Sequence, residues 1–307
     1  MTTTPIIHHY PQSPASEKVR VFLGLKGIAW RSVIIPRVPP KPLVMPLTGG
    51  FRLTPVMQIG ADIYCDTFCI IQELENRYPS PSLLPKDGSS VDWAIGAWDD
   101  TQLFKTAIAI VFSDGLDHMP PGFAEDRIAL YFDGADQNTY FKDKLSENLS
   151  IVRRFFAEVD TAVEKHDFIG GASPSVSDAL AYYIAWFLRG RFSGGPELIA
   201  AFPILEAWES RIREFGYGEV TDFSAETALE EARIALPDAG IGILAANDLG
   251  FELGQSISVR PMDDENATTG ALITLTDDRV SLLRMDPQVG EVAVHFPRSG
   301  YVLAPSS

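Results

Sequence analysis

Residues 5–35 read PIIHHYPQSPASEKVRVFLGLKGIAWRSVII, and this stretch decides the fold. Its two ends, residues 5–10 and residues 30–35, are rich in the β-branched and aromatic side chains that are typical of β-strands. Between them, Ser13 followed by Pro14 predicts a helix start, because a serine hydroxyl caps backbone amides and proline suits the first helical position. A strand, a helix and a strand within about 35 residues predict a parallel crossover unit.

The following stretch predicts a loop, a hairpin and a second helix. Residues 36–50 contain five prolines and a Gly-Gly pair, so we expect a long irregular loop there. Residues 55–65 predict a hairpin that turns at residues 60–62. Asp66 then predicts the cap of a helix over residues 67–78, whose apolar side chains fall on one face.

Beyond this helix the sequence pattern changes twice. Prolines after residue 78 mark a linker, and the chain then shows helical periodicity without a strand pattern. We expect helices over residues 91–112, 140–166, 175–190 and 203–215. A shorter helix is predicted over residues 224–236. From residue 248 onward, short alternating runs separated by turn residues predict a small antiparallel sheet or barrel.

Composition and charge limit the possible partners. The chain has 307 residues, of which 46% are hydrophobic, as expected of a globular protein. Its net charge of −16 at pH 7 repels phosphate backbones and anionic lipid. We therefore expect neither nucleic acid nor a membrane surface as a partner. The sequence contains no run of about 20 apolar residues, so it predicts no membrane-spanning helix.

Cysteine usage and the first residues favour a reducing compartment. The two cysteines, Cys65 and Cys69, offer neither a disulfide framework nor a cysteine-rich zinc site. The first residues, MTTTP, lack the basic start and the apolar stretch of a signal peptide. We therefore expect a cytoplasmic protein without a metal site.

Four short motifs, in this order, resemble the glutathione S-transferase (GST) superfamily. The first is Ser13-Pro14 at the helix start, where serine-type and cysteine-type members carry Ser or Cys before Pro. The second is Thr54-Pro55, which is similar to the family's hydrophobic-Pro-hydrophobic segment, whose proline is cis. The third is Asp66-Thr67, at the place of the family's Glu-Ser or Asp-Ser pair. The fourth, within residues 168–180, resembles the capping box of the helical domain, with Ser175 and Asp178 as its two members.

The resemblance implies a fold with three parts. Residues 1–86 would form a thioredoxin-like α/β domain that binds glutathione, and residues 87–218 would form an all-α domain. Residues 219–307 lie outside the family pattern, and we expect a helix plus a small antiparallel β-rich extension there. The long loop over residues 36–50 is a further departure, as is Thr54, where the family usually has valine.

The resemblance also implies how a thiol would be activated. A free thiol has a pKa of about 8.5, so little thiolate exists at neutral pH unless a donor and a helix N-terminus stabilise it. Ser13 is the candidate catalytic residue because it directly precedes the helix-start proline. Ser16, in the first helical turn, and Tyr10, at the end of the first strand, are alternatives. Serine is not a redox nucleophile, so thiol–disulfide exchange is disfavoured.

Five further residues would bind glutathione, the co-substrate. The backbone of Thr54, held by Pro55, would pair with its peptide part in the manner of an added strand. The Thr67 hydroxyl and amide would bind the γ-glutamyl carboxylate at a helix N-terminus. Asp66 would accept a hydrogen bond from the γ-glutamyl ammonium. Arg52 lies near the family's basic residue for the glycyl carboxylate.

The second substrate would be a small hydrophobic electrophile bound between the domains. Trp98, Phe104 and Phe112, on the helix predicted after residue 91, are the candidates to line its site. The resemblance further implies a homodimer and a detoxifying transferase. Two rival functions stay open: a non-catalytic glutathione-fold binding or scaffold protein, and a specialised glutathione-dependent lyase, isomerase or peroxidase.

Overall fold

The computed structural model describes residues 4–84, 90–116, 119–136, 139–238, 240, 242–244 and 249–306. Side chains are described for these residues except 90–101 and 243–244. The chain folds into two compact units. Unit 1 consists of Met1–Ser16, Ala29–Arg77 and Glu219–Ser307, and unit 2 consists of Glu17–Ile28 and Tyr78–Gly218. Unit 1 therefore combines segments from both ends of the sequence.

The described residues of unit 1 form one 11-stranded sheet. Its strands are β1 Ile6–His9, β2 Ala29–Ile34, β3 Val56–Ile59, β4 Asp62–Cys65, β5 Glu219–Asp222, β6 Ile243–Leu244, β7 Ser256–Pro261, β8 Thr268–Leu275, β9 Arg279–Asp286, β10 Gly290–Pro297 and β11 Tyr301–Pro305. Their order across the sheet is β11-β7-β8-β9-β10-β4-β3-β1-β2-β5, and β6 pairs with β8. β1 and β2 are parallel, and β3 and β4 form an antiparallel hairpin, as the sequence predicts.

The C-terminal strands continue the N-terminal sheet. β10 runs parallel to β4, with Val294 opposite Ile63, and antiparallel to β9. Both of these side chains are fully buried in one core that draws on the two ends of the sequence. The β-rich segment predicted beyond residue 248 is confirmed. Its attachment along β4 is a feature that the alternation pattern of a strand does not reveal.

The helices of unit 1 differ from expectation at one place. They are the first turn of α1 (Pro14–Lys26), α2 (Met45–Thr48), α3 (Thr67–Arg77) and α11 (Ala225–Ile234). The irregular loop expected over residues 36–50 is partly wrong, because it contains the helical turn α2. Gly49 ends this turn at φ 73°, in the left-handed conformation that favours glycine.

β5 is a second element that the sequence pattern does not indicate. Its residues, EVTD, are all exposed, so they lack the alternation of buried and exposed side chains that marks a strand. β5 pairs in parallel with β2, with Val220 beside Trp30. Backbone pairing, and not the burial of its own side chains, therefore defines this strand.

Unit 2 is built from helices, as the sequence predicts. Together with most of α1 they are α4 Ser90–Gly115, α5 Phe123–Tyr131, α6 Tyr140–Asp143, α7 Leu145–Ala162, α8 Val176–Arg191, α9 Gly195–Ala200 and α10 Pro203–Glu214. The single helix expected over residues 140–166 is two helices, α6 and α7, with Lys144 between them. None of the helices in the described ranges is long and apolar enough to cross a membrane.

The start of α8 carries the predicted capping box. Asp178 Oδ2 accepts hydrogen bonds from the backbone amide and the hydroxyl of Ser175, at 2.8 and 2.9 Å. Asp178 Oδ1 accepts from the Ile169 amide and the Trp208 indole, both at 2.8 Å. Through these hydrogen bonds the Asp178 carboxylate, which is fully buried, connects α8 to two other parts of unit 2.

Candidate functional site

The segments predicted to bind glutathione meet at one end of the unit 1 sheet. β3 is antiparallel to both of its neighbours, with Val56 opposite His8 in β1 and Cys65 in β4. The C-terminal ends of β1 and β4 therefore lie beside the N-terminal end of β3. The residues next to these strand ends are Tyr10 to Ser16 after β1, Thr54-Pro55 before β3, and Asp66-Thr67 after β4.

A tight turn connects β1 to α1. The Ser13 amide donates to the Tyr10 carbonyl at 3.1 Å, and the Ser13 Oγ accepts from the Ser16 amide at 3.1 Å. Ser13 thus caps α1, as predicted, and the two alternative activators lie in the same turn. All three residues are buried, and the Ser16 Oγ has no hydrogen-bond partner in the described part of the chain. A hydroxyl at the positive end of a helix can stabilise a bound anion.

A buried cation lies beside the Thr54-Pro55 segment, whose peptide bond is cis, as the resemblance implies. The Lys41 ammonium donates to the Thr54 hydroxyl at 2.8 Å and to the Arg52 carbonyl at 2.7 Å. Lys41 is only 2% exposed. It was not predicted as a site residue, although a basic residue flanked directly by prolines, Pro40 and Pro42, is a signal that could have identified it.

The Arg52 side chain is ion-paired with the C-terminal part of unit 1. Its guanidinium Nε donates to Asp264 Oδ2 at 3.2 Å, and both side chains are largely buried. The predicted partner of the glycyl carboxylate therefore already has a carboxylate partner within the chain.

Asp66 joins β4 to α3 and holds its carboxylate between two donors. It adopts φ 80°, a conformation that Asp tolerates better than most residues. Its Oδ1 accepts from the Phe68 amide at 2.9 Å, which caps α3 as predicted. Its Oδ2 accepts from the Tyr301 hydroxyl at 3.1 Å. Thr67 is the first residue of α3, so its amide and hydroxyl lie at the positive end of that helix.

The two cysteines lie next to this site but are poor nucleophiles. Both are free and fully buried. Burial raises the pKa of Cys65 well above its ordinary value and the pKa of Cys69 to about 12. Since the thiolate is the reactive form, neither thiol is suited to exchange with a ligand. Within the described ranges, no three His, Cys, Asp or Glu side chains come together as a metal-binding group.

The aromatic residues predicted to bind the electrophile all belong to α4 in unit 2. The side chain of Trp98 lies outside the described residues. Phe104 is half-buried and contacts Tyr131, with ring centroids 5.5 Å apart. Phe112 is buried against Phe141, with ring centroids 5.3 Å apart. Phe112 therefore belongs to the core of unit 2, whereas Phe104 is only partly buried.

Two family profiles match the sequence. The profile "Glutathione S-transferase, N-terminal domain" matches residues 7–82, and "Glutathione S-transferase, C-terminal domain" matches residues 142–211. The first match contains every candidate glutathione-binding residue, and the C-terminal strands lie outside both. No curated protein sequence gives a significant match.

Solved structures of similar proteins extend this comparison to the whole chain. A GST-like protein from Pseudomonas syringae is 31% identical, with a TM-score of 0.78, over 99% of this chain and 100% of that chain. A glutathione S-transferase from Rhodospirillum rubrum F11 is 18% identical, with a TM-score of 0.52, over 68% of this chain and 88% of that chain. A Tau class glutathione S-transferase from mango, Mangifera indica, is 15% identical, with a TM-score of 0.50, over the same shares. Because both family domains match and a relative is similar along its whole length, this chain belongs to the glutathione S-transferase superfamily.

Proposed function

We propose that this protein is a glutathione transferase that binds glutathione at the end of the unit 1 sheet and activates its thiol. The proposal is supported by the meeting of two helix N-termini, those of α1 and α3, beside the Thr54-Pro55 segment. Positive helix ends favour bound anions. Glutathione carries two carboxylates and a thiol that must ionise, so its charges match such a site.

The candidate residues take distinct roles in this proposal. The Ser13 hydroxyl donates a hydrogen bond to the glutathione sulfur. Thr67 binds the γ-glutamyl carboxylate, and Asp66 accepts a hydrogen bond from the γ-glutamyl ammonium. The Thr54 backbone pairs with the peptide part. Lys41, buried beside Thr54, adds positive charge that favours a glutathione carboxylate near the peptide part of the ligand.

The thiolate then attacks a hydrophobic electrophile. A carbon–sulfur bond forms, the leaving group departs with the bonding electrons, and the thiol proton passes to solvent. Trp98 and Phe104 are the residues we propose to contact the electrophile, and Phe112 supports them from the core of unit 2. Catalysis comes from stabilising the thiolate and positioning it. We propose that the enzyme acts as a cytoplasmic homodimer in detoxification.

Substitution of Ser13 tests this proposal. The wild-type protein is expected to lower the pKa of the bound glutathione thiol by about two units, which corresponds to about 2.7 kcal/mol. Ser13→Ala removes the donor, so the pKa of the bound thiol should return towards that of free glutathione. The measurement is a pH titration of the ultraviolet absorbance of the thiolate, with glutathione bound to each variant.

Three variants separate thiol activation from helix capping and from the alternative donors. Ser224 caps α11 in the same way as Ser13 caps α1, with its Oγ accepting from the Thr227 amide at 3.1 Å. Ser224→Ala therefore removes an equivalent cap and should leave the pKa of the bound thiol unchanged. Ser16→Ala and Tyr10→Phe should leave it unchanged as well. A wild-type protein that binds glutathione without lowering the pKa of its thiol would rule out the thiolate mechanism.

A further inference from the structure

The C-terminal segment, residues 256–305, reaches the candidate glutathione site at two points. Asp264 accepts a hydrogen bond from Arg52, and the Tyr301 hydroxyl donates to Asp66. Both contacts lie within unit 1. The segment also extends the sheet directly beside β4, the strand that leads into Asp66. Asp66, which is proposed to bind glutathione, and Arg52, a candidate from the sequence, are thus held by a segment that lies outside both matched family domains.

Packing fixes the ring of Tyr301. Tyr301 is the first residue of β11 and is paired with Pro261 in β7. Its ring lies against Phe296, with centroids 5.4 Å apart, and Phe296 in turn contacts Phe51 at 5.8 Å. Because Tyr301 is only 8% exposed, few other rotamers fit this environment. The direction of its hydroxyl is therefore set by the core of unit 1.

The contact between Tyr301 and Asp66 has a defined donor and acceptor. Burial, together with the neighbouring Asp66 carboxylate, raises the pKa of Tyr301 well above its ordinary value. The hydroxyl therefore stays protonated and donates. The other carboxylate oxygen accepts from the Phe68 amide, so both oxygens of Asp66 are fixed in place. A carboxylate has about four acceptor positions, so the same group can also accept from an ammonium.

We propose that Tyr301 is a positioning residue for glutathione. Its hydroxyl holds the Asp66 carboxylate in the orientation that accepts a hydrogen bond from the α-ammonium of the γ-glutamyl group. This inference rests on the proposed function and adds to it a residue of the C-terminal segment. The segment then has a role in ligand recognition as well as in extending the sheet.

The test measures ligand affinity with and without the ammonium. Isothermal titration calorimetry compares glutathione with glutaryl-cysteinyl-glycine, which lacks that ammonium, on the wild-type protein and on Tyr301→Phe. A hydrogen bond to a charged group that is lost on substitution should weaken glutathione binding by about tenfold or more. The affinity for glutaryl-cysteinyl-glycine should not change, because this ligand has no ammonium that could donate a hydrogen bond to Asp66. An equal loss for both ligands, or no loss for either, would overturn the role of Tyr301.

Tyr64→Phe is the matched control. The Tyr64 hydroxyl also donates to a buried carboxylate in unit 1, that of Glu73, at 3.2 Å. This variant should keep the wild-type affinity for glutathione, and a loss equal to that of Tyr301→Phe would show a general effect on unit 1. Circular dichroism is used to check that each variant is folded. If the wild-type protein does not bind glutathione, the proposed function fails. If the wild-type protein binds glutathione and Tyr301→Phe binds it equally well, only the inference about Tyr301 fails.

Discussion

Replacement of Asp178 by alanine is expected to lower the free energy of unfolding by about 3–5 kcal/mol. The carboxylate is fully buried and accepts hydrogen bonds from Ser175, Ile169 and Trp208. Alanine removes the acceptor and leaves these donors buried, and each unsatisfied donor carries a desolvation cost. Urea unfolding, followed by tryptophan fluorescence and by circular dichroism, measures the change.

Ser175→Ala is the matched control for this variant. It removes the cap hydroxyl but leaves Asp178 with its other donors, so the expected loss is about 1 kcal/mol, as for an ordinary N-cap. If Asp178→Ala costs no more than Ser175→Ala, then Asp178 acts as a simple cap and the bonds to Ile169 and Trp208 contribute nothing measurable.

The two members of this capping box show where sequence reasoning succeeds and where it stops. Ser175 and Asp178 are three residues apart, so their reciprocal bonds follow from a local pattern. The sequence alone predicts only the modest cost of losing a cap. The donors at Ile169 and Trp208 come from parts of the chain that no helix period relates to α8, and they raise the expected cost.

The candidate site also combines features that the sequence predicts with a contact that it does not predict. The turn at Ser13 and the Asp66 cap each follow from a few consecutive residues, and the cis Thr54-Pro55 bond is implied by the family resemblance. The structure has all three. Tyr301 lies 235 residues from Asp66 in the chain. Such a contact depends on β10 pairing with β4, which is set by the packing of the whole sheet and has no local signature.

The composition of the chain does not predict the buried charges of the site. A net charge of −16 describes the surface as a whole, yet Lys41 places a buried positive charge beside Thr54. A local field can oppose the net charge, because charges at short range in a buried site are screened less than those on the surface. Net charge therefore limits large anionic partners, such as nucleic acid, more strongly than it limits a small one.

Acidification from about pH 7 to about pH 4 is expected to destabilise the protein by about 3 kcal/mol through His8 alone. His8 is fully buried in β1, and its Nε2 is hydrogen-bonded to Gln58 Oε1 at 2.9 Å. Gln58 uses its amide nitrogen to donate to the Ala228 and Gly60 carbonyls, so its oxygen accepts and His8 Nε2 carries the hydrogen. His8 Nδ1 has no partner among the described residues, and a proton there would add a buried charge without an acceptor.

The sign of the effect follows from the direction of the pKa shift. Burial lowers the pKa of His8 from 6.5 to about 4, against a smaller opposing effect of the Gln58 hydrogen bond. Below pH 6.5 the unfolded chain binds a proton that the folded chain does not bind, so stability falls with pH until the folded pKa is reached. Burial also lowers the pKa of His295, whose ring is held by Ser281 and Asp62, so His295 contributes in the same direction.

His8→Gln isolates this contribution from that of the carboxylates, which titrate over part of the same range. The free energy of unfolding is measured in urea from about pH 7 to about pH 4 for the wild-type protein and the variant. The wild-type protein should lose about 3 kcal/mol relative to His8→Gln over this range, because the variant has no proton to bind at this position. His166→Gln, at an exposed position, is the control for the change of residue and should stay within about 0.5 kcal/mol of the wild-type protein at neutral pH. Parallel curves for the wild-type protein and His8→Gln would mean that His8 is protonated equally in the folded and unfolded states, and that water or a rearranged acceptor reaches its Nδ1.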